Sequence, residues 1–69
     1  MKAIVEKGDD GLFSVYTKDV KGVFGVGMTV EEAKENFIRV ANEQAEYHKL
    51  RFGVYPQWYS AGGCVFEWE

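Results

Sequence analysis

Two stretches near the start of the chain alternate apolar and polar residues in the manner of β-strands. Residues 2–7 and residues 12–17 each have this period of two, and the second stretch is rich in aromatic and β-branched side chains. Between them, residues 8–11 read Gly-Asp-Asp-Gly, which is typical of a turn. The pattern therefore predicts a β-hairpin that places Ile4 and Tyr16 on the same face.

A third, shorter strand is predicted at residues 23–26. It follows a polar connector, residues 18–22, which ends in glycine. Gly25 interrupts the apolar run of this strand. The first three strands are expected to form an antiparallel meander.

A long amphipathic helix is predicted from about residue 30 to about residue 52. Thr29 and Glu32 have the spacing of a capping box, in which the threonine side chain accepts from the amide three residues later. Gly53 suits the left-handed C-cap position, and Pro56 cannot continue a helix. At 100° per residue, the side chains predicted to face the sheet are Val30, Ala33, Phe37, Val40, Ala41, Gln44 and His48. The predicted solvated face comprises Glu31, Glu35, Arg39, Asn42, Glu43, Glu46 and Lys49.

The last part of the chain is predicted to be an aromatic loop, residues 54–63, followed by a strand, residues 64–68. The loop carries Tyr55, Trp58 and Tyr59. Aromatic side chains in such a loop either cap the open end of a small core or anchor an interface with another molecule. The sequence leaves both interpretations open.

These elements predict an α+β fold of order β-β-β-α-β in one domain, residues 1–69. The sheet consists of an antiparallel meander plus a C-terminal strand, and the one long helix packs on one sheet face. The other face is left uncovered, and its predicted side chains are Ile4, Leu12, Tyr16 and Val65. A mixed, uncovered face favours self-association or binding to another protein. We therefore expect a homo-oligomer or a protein complex.

Composition narrows the class of partner. The 69 residues carry a formal charge of -3, which argues against a surface that binds nucleic-acid phosphates, because such binding depends on Lys and Arg. We expect no direct contact with nucleic acid, and a basic protein is the better match. Five Phe, four Tyr and two Trp are more aromatic residues than one small core readily hides, so some are expected at an interface.

The chain shows no feature of a secreted or membrane protein. Its single cysteine, Cys64, cannot form an internal disulfide and is interpreted as a buried structural thiol. No apolar segment follows Met1-Lys2, as a signal peptide would require. We expect a cytoplasmic protein without membrane contact.

Three segments in correct order and spacing resemble the HicB-like antitoxin domain. They are residues 10–15 (DGLFSV), residues 19–22 (DVKG) and residues 27–33 (GMTVEEA) with Asn36. The usual pattern of that family is DG-x-Y, then DLPG, then G-x-T-x-EEA-x-x-N. The resemblance covers roughly residues 2–50 and is much more specific than any one of its pieces.

The resemblance implies a partial RNase H-like fold and a function. HicB-like antitoxins bind HicA, a small basic toxin that cleaves mRNA. The chain departs from the family at Lys21, where the pattern has Pro, and at Val23, where it often has Cys. Many members also carry a C-terminal DNA-binding segment, whereas this sequence ends after one strand. We therefore do not expect this chain to regulate its own operon alone.

An RNase H-like nuclease would need carboxylates that converge on metal ions. The acidic residues here are dispersed over turns, connectors and strand ends, which predicts no catalytic residue, no metal site and no cofactor. They are Glu6, Asp9, Asp10, Asp19, Glu67 and Glu69. The lone His48 lies on the inner stripe of the helix, where a packing role is the usual interpretation and a base, ligand or pH-sensing role is the alternative.

Three hypotheses follow for the function. The leading one is a HicB-like antitoxin that masks a HicA-like toxin. The second is a stand-alone oligomeric HicB-like module that binds another protein or small ligand. The third is a vestigial RNase H-like nuclease that uses Glu6, Asp10 or Glu67. For partner binding, the candidate residues are Ile4, Tyr16, Trp58 and Tyr59.

Overall fold

The computed structural model describes residues 2–60 and 65–68, and it shows an α+β fold with the predicted order of strands and long helix. The elements are β1 (Lys2–Lys7), β2 (Phe13–Tyr16), β3 (Phe24–Gly27), α1 (Val30–Phe52), α2 (Gln57–Ser60) and β4 (Val65–Trp68). The short helix α2 corrects the prediction of a continuous loop, because part of residues 54–63 folds into one helical turn. Cys64 lies outside the described residues.

The four strands form one mixed sheet in the order β3-β2-β1-β4. The first three strands pair antiparallel as a meander, and β4 joins the free side of β1 in parallel orientation. A parallel neighbour requires a crossover connection, which α1 provides on one face of the sheet. The predicted fold class is confirmed. The structure also places β4 beside β1, a pairing that the sequence did not predict.

The side chains of the β1–β2 hairpin face the predicted sides of the sheet. Ile4 pairs with Tyr16, and Val5 pairs with Val15. In the turn, Leu12 N donates to the carboxylate of Asp10 at 3.0 Å, which is the local bond that favours Asp in turns. Val5 and Val15 are buried under the helix, so Ile4 and Tyr16 lie on the opposite face of the sheet.

The caps of α1 form where the sequence places them. The Thr29 hydroxyl accepts from Glu32 N at 3.1 Å, and Gly53 adopts a left-handed φ of 83°. The Gly53 amide then donates to Lys49 O at 2.7 Å. Acidic residues lie in the first turn and basic residues in the last, which complements the helix dipole.

Replacing Thr29 with alanine is expected to destabilise the fold by about 1 kcal/mol, because the amide of Glu32 loses its acceptor. Urea denaturation followed by circular dichroism measures this loss. Thr29→Ser keeps the hydroxyl and should stay close to wild type. Equal stability of the alanine and serine variants would show that the cap contributes little.

The core lies between α1 and the helix-facing side of the sheet. The buried apolar side chains of the described residues are Ala3, Val5, Val15, Val23, Ala33, Phe37, Ala41 and Ala45. Phe37 is the largest of them and has no exposed surface. Phe66 from β4 packs edge-on against it, with ring centroids 6.0 Å apart.

The prediction that Gln44 faces the sheet is wrong. Gln44 is exposed, and Ala45 is buried instead. The buried residues of α1 recur every four positions, from Ala33 through Phe37 and Ala41 to Ala45. Each step of four residues turns the stripe by ~40°, so that by the third step, at Ala45, the neighbouring Gln44 lies ~100° away from the stripe.

The helix crosses directly over β3 at two glycines. A Cβ atom on Gly25 would lie 2.5 Å from Ala33 O, and one on Gly27 would lie 2.6 Å from Ala33 N. Only a residue without a Cβ allows this approach. The two glycines and Ala33 therefore set the distance between helix and sheet.

The helix is longer than the sheet is tall. With 23 residues it spans about 34 Å, and the molecule measures 40 × 17 × 17 Å. Beyond Ala45, the helix side chains Tyr47, Leu50 and Phe52 are exposed. The end of α1 thus projects past the sheet.

Candidate protein-interaction surface

The face of the sheet opposite α1 carries an apolar row that no other described element covers. Ile4 pairs with Tyr16, and Tyr16 pairs with Phe24, so the three side chains lie next to one another across three strands. Phe24 is 58% exposed, and Val26 on the same side of β3 is 40% exposed. We call the surface formed by Ile4, Tyr16, Phe24 and Val26 the open face.

Polar groups border the open face on the side of β1 and β4. Lys2 Nζ lies 3.1 Å from a Glu67 carboxylate oxygen, and the Tyr16 hydroxyl donates to Glu6 at 3.3 Å. The Lys2–Glu67 pair is more than half exposed, and such pairs contribute at most about 1 kcal/mol. The open face is therefore polar toward β4 and apolar toward β3.

The outer edge of β3 is partly protected by the helix. The Asn36 amide donates to Val26 O at 2.7 Å, and α1 lies over the strand at Gly25. Covering an edge in this way discourages strand pairing with another chain. Binding at β3 is thus better suited to side-chain contacts on the open face than to an added strand.

The four predicted partner-binding residues do not form one surface. Ile4 and Tyr16 lie on the open face, whereas Trp58 packs against the core on the helix side. The Tyr59 hydroxyl donates to Asn42 at 3.0 Å and its ring contacts Trp58 edge-on. The position of Trp58 agrees with the core-capping interpretation of the aromatic segment. Partner binding by these residues stays a prediction.

The sequence also predicts Leu12 and Val65 on the uncovered face of the sheet. Leu12 is half-buried just before β2, while the side chain of Val65 lies outside the described part of the chain. The sequence prediction missed Phe24, Val26 and the neighbouring Met28, which is 75% exposed. Their alternation with Gly25 and Gly27 is visible in the sequence and could have placed them opposite the helix.

The aromatic segment contacts part of the helix face that the sequence predicts to be solvated. The Tyr55 hydroxyl donates to Glu46 at 2.8 Å, and Lys49 Nζ lies 4.7 Å from the centre of the Tyr55 ring. The hydrogen bond to Glu46 is the main cause that raises the pKa of Tyr55 above its usual value, followed by burial. Part of this face is thus covered by residues 55–59, while Glu46 and Lys49 remain exposed.

His48 has a structural position at the end of α1. Its Nδ1 atom lies 2.7 Å from Val54 O, so a proton on that nitrogen would bridge the two groups. Its ring packs against Phe52 with centroids 4.7 Å apart. These contacts fit a packing role for His48.

The carboxylates of the nuclease hypothesis each have a local contact. Glu6 accepts from Tyr16, Asp10 accepts from Leu12 N, and Glu67 pairs with Lys2. Across residues 2–60 and 65–68, no group of three or more His, Cys, Asp or Glu side chains is arranged to hold a metal ion. In the same part of the chain, no helix has the length and apolar character that crossing a bilayer requires.

Comparison with known proteins finds no relative. No protein-family model matches the chain, and neither a curated protein nor a solved structure is significantly similar to it.

Proposed function

We propose that this chain is a HicB-like antitoxin that binds a small basic toxin of the HicA type in the cytoplasm. The observation that carries the proposal is the open face, because an exposed apolar row on a small domain is typical of a protein-binding surface. The chain performs no chemistry in this proposal. It acts by occupying a surface that the toxin needs to bind or cleave RNA.

The sequence resemblance supports the same proposal. Its most specific segment, residues 27–33 with Asn36, coincides with the glycine approach, the helix cap and the Asn36–Val26 bond. Within it, structural roles in the packing of α1 on β3 are shown for Gly27, Thr29, Glu32, Ala33 and Asn36. The motif therefore accounts for the packing of α1 on one face of the sheet, which leaves the open face uncovered.

Charge also favours a basic partner. The chain carries a formal charge of -3, and opposite net charges accelerate the encounter of two proteins at low ionic strength. A small mRNA-cleaving protein needs a basic surface for its own substrate. An acidic protein that covers such a surface competes directly with RNA.

The proposal predicts a complex with the product of the neighbouring reading frame, if that frame encodes a small basic protein. Co-expression of the two chains, with an affinity tag on the basic one, should yield a complex in pull-down and restore growth. The control is Phe24→Lys, in which a positive charge on the apolar side of the open face should repel the basic protein and prevent both results. Absence of a complex with the wild-type chain, or unchanged toxicity on co-expression, would contradict the proposal.

Self-association stays a separate prediction. Sedimentation of the chain alone over a range of concentrations measures it directly. An oligomer that persists without the basic protein, in a chain that does not bind that protein, would favour the stand-alone binding module.

A further inference from the structure

One end of the sheet carries an excess of negative charge. Lys7 pairs with Phe13, and Phe13 pairs with Gly27, so the β1–β2 turn and the start of α1 lie at the same end of the sheet. Residues 6–12 and 28–35 of this end hold six carboxylates and two lysines, a net charge of -4. Because the whole chain carries -3, the remaining residues sum to +1. The carboxylates are Glu6, Asp9, Asp10, Glu31, Glu32 and Glu35.

The two lysines of this end offset the negative charge mainly on the helix side of the sheet. Lys7 Nζ lies 5.8 Å from the centre of the Phe13 ring, and Lys34 Nζ lies 5.0 Å from that of Phe66. Phe13 and Phe66 both pack against the core under α1. Of the six carboxylates, Glu6 lies on the open-face side of β1, Asp9 and Asp10 lie in the turn, and the other three belong to the first two turns of α1.

Exposed apolar side chains lie at the same end of the sheet as these carboxylates. Val26 lies on the open face near the end of β3, and Met28 follows it immediately before the cap of α1. Glu31 and Glu32 form the first turn of the helix beside them. We call the surface formed by Val26, Met28, Glu31 and Asp9 the acidic end; it joins the edge of the open face to the β1–β2 turn and the start of α1. Such a surface combines apolar contact area with negative charge.

We propose that the acidic end, together with Phe24, docks a protein whose contacting surface combines Lys or Arg side chains with exposed apolar ones. This inference rests on the proposed function only for the identity of the partner. Apolar contacts between Met28, Val26 and the partner supply affinity, while the carboxylates steer and orient it. Binding should therefore weaken as salt concentration rises.

A second copy of this chain is a poorer occupant of the same surface. The molecule is 17 Å across, and β1, the longest strand, is about 20 Å long, so a flat contact with the whole uncovered sheet face covers about 340 Å² on each copy. Two copies packed face to face would bury roughly 700 Å², whereas stable specific interfaces bury about 1,200 Å² or more. A basic protein can extend its contact from the open face around the carboxylates at its end.

A matched pair of double variants tests the proposal. Met28→Ser with Glu31→Lys changes the acidic end, and Leu50→Ser with Glu43→Lys makes the same substitutions at the far half of α1. Met28 and Leu50 are 75% and 85% exposed, and both glutamates are exposed, so all four positions tolerate the change without loss of core packing. Circular dichroism and thermal unfolding verify that both variants are folded.

Calorimetric titration with the basic neighbouring protein should give a Kd at least tenfold higher for the Met28/Glu31 variant and within twofold of wild type for the Leu50/Glu43 variant. Equal affinity of the two variants would overturn the docking surface and leave the proposed function standing. If the wild-type chain does not bind that protein, the proposed function fails. In that case, the docking surface is tested by measuring how a synthetic ten-residue peptide of alternating lysine and leucine binds to the wild-type chain and to both variants. Loss of peptide binding only in the Met28/Glu31 variant supports the surface, and any other result, including no binding, overturns it.

Discussion

Replacing Phe37 with alanine is expected to remove most of the stability of this domain. The ring has no exposed surface and packs between α1, the sheet and Phe66. Truncating a buried phenylalanine costs about 3–5 kcal/mol, because the lost apolar burial adds to the cavity left behind. A 69-residue domain has a total stability of roughly 3–10 kcal/mol. Urea denaturation followed by circular dichroism should therefore show a partly unfolded variant even without urea.

The adjacent residue of the helix provides the control. Ile38 is 43% exposed and is not among the buried core residues, so Ile38→Ala should cost less than about 1.5 kcal/mol. The difference between the two alanine variants isolates the contribution of the core position. If both variants unfold at similar urea concentrations, the placement of Phe37 at the centre of the core is wrong.

The second large effect is expected for Gly25→Ala. The added methyl group would meet Phe37 N, Phe37 Cα and Ala33 O, all of them backbone atoms of α1. A helix backbone cannot yield at one residue, so the whole helix must move away from β3. Overpacking of this kind costs about 1–3 kcal/mol and occasionally more. Chemical denaturation should show the loss as a lower midpoint.

A second glycine separates this steric effect from a general sensitivity to glycine replacement. Gly11 lies in the β1–β2 turn with a φ of 83°, and no atom lies within 4 Å of a Cβ placed there. Asparagine tolerates the left-handed region, so Gly11→Asn should cost less than about 1 kcal/mol. A Gly25→Ala variant as stable as the Gly11→Asn variant would show that the helix does not approach β3 as closely as described.

Local patterns predicted the elements of this fold well. Alternation identified the β1–β2 hairpin and its two faces, because a strand has only two sides and the core occupies one. Thr29 and Gly53 located both ends of α1, since each satisfies backbone groups that the helix itself leaves unpaired. These features depend on residues close in sequence, so the sequence alone was sufficient.

Features that depend on the relation between elements were predicted less well. The exposure of Gln44 and the burial of Ala45 follow from how the helix crosses the sheet, which no single helical pattern specifies. The projection of α1 past the sheet follows from the lengths of two different elements. The separation of Trp58 from Tyr16 likewise required the path of the chain after Gly53.

The candidate surface was predicted in part. Ile4 and Tyr16 were assigned correctly to the uncovered face, but its most exposed side chains belong to β3. Phe24 and Val26 alternate there with Gly25 and Gly27, and each glycine marks the position where the helix backbone passes. Interpreting Gly25 as a site of close packing, in addition to an interruption of the strand, would have revealed the orientation of both apolar residues.

An NMR titration of the isotope-labelled chain with the basic protein of the neighbouring reading frame tests directly whether the uncovered sheet face binds that protein. If the partner binds the open face and the acidic end, the largest amide shift changes should occur at residues 9–12 and 24–32. Residues 42–52 of the projecting helix should change little. Shift changes concentrated on residues 42–52, or none at equimolar protein, would contradict the claim that the uncovered sheet face binds a basic protein.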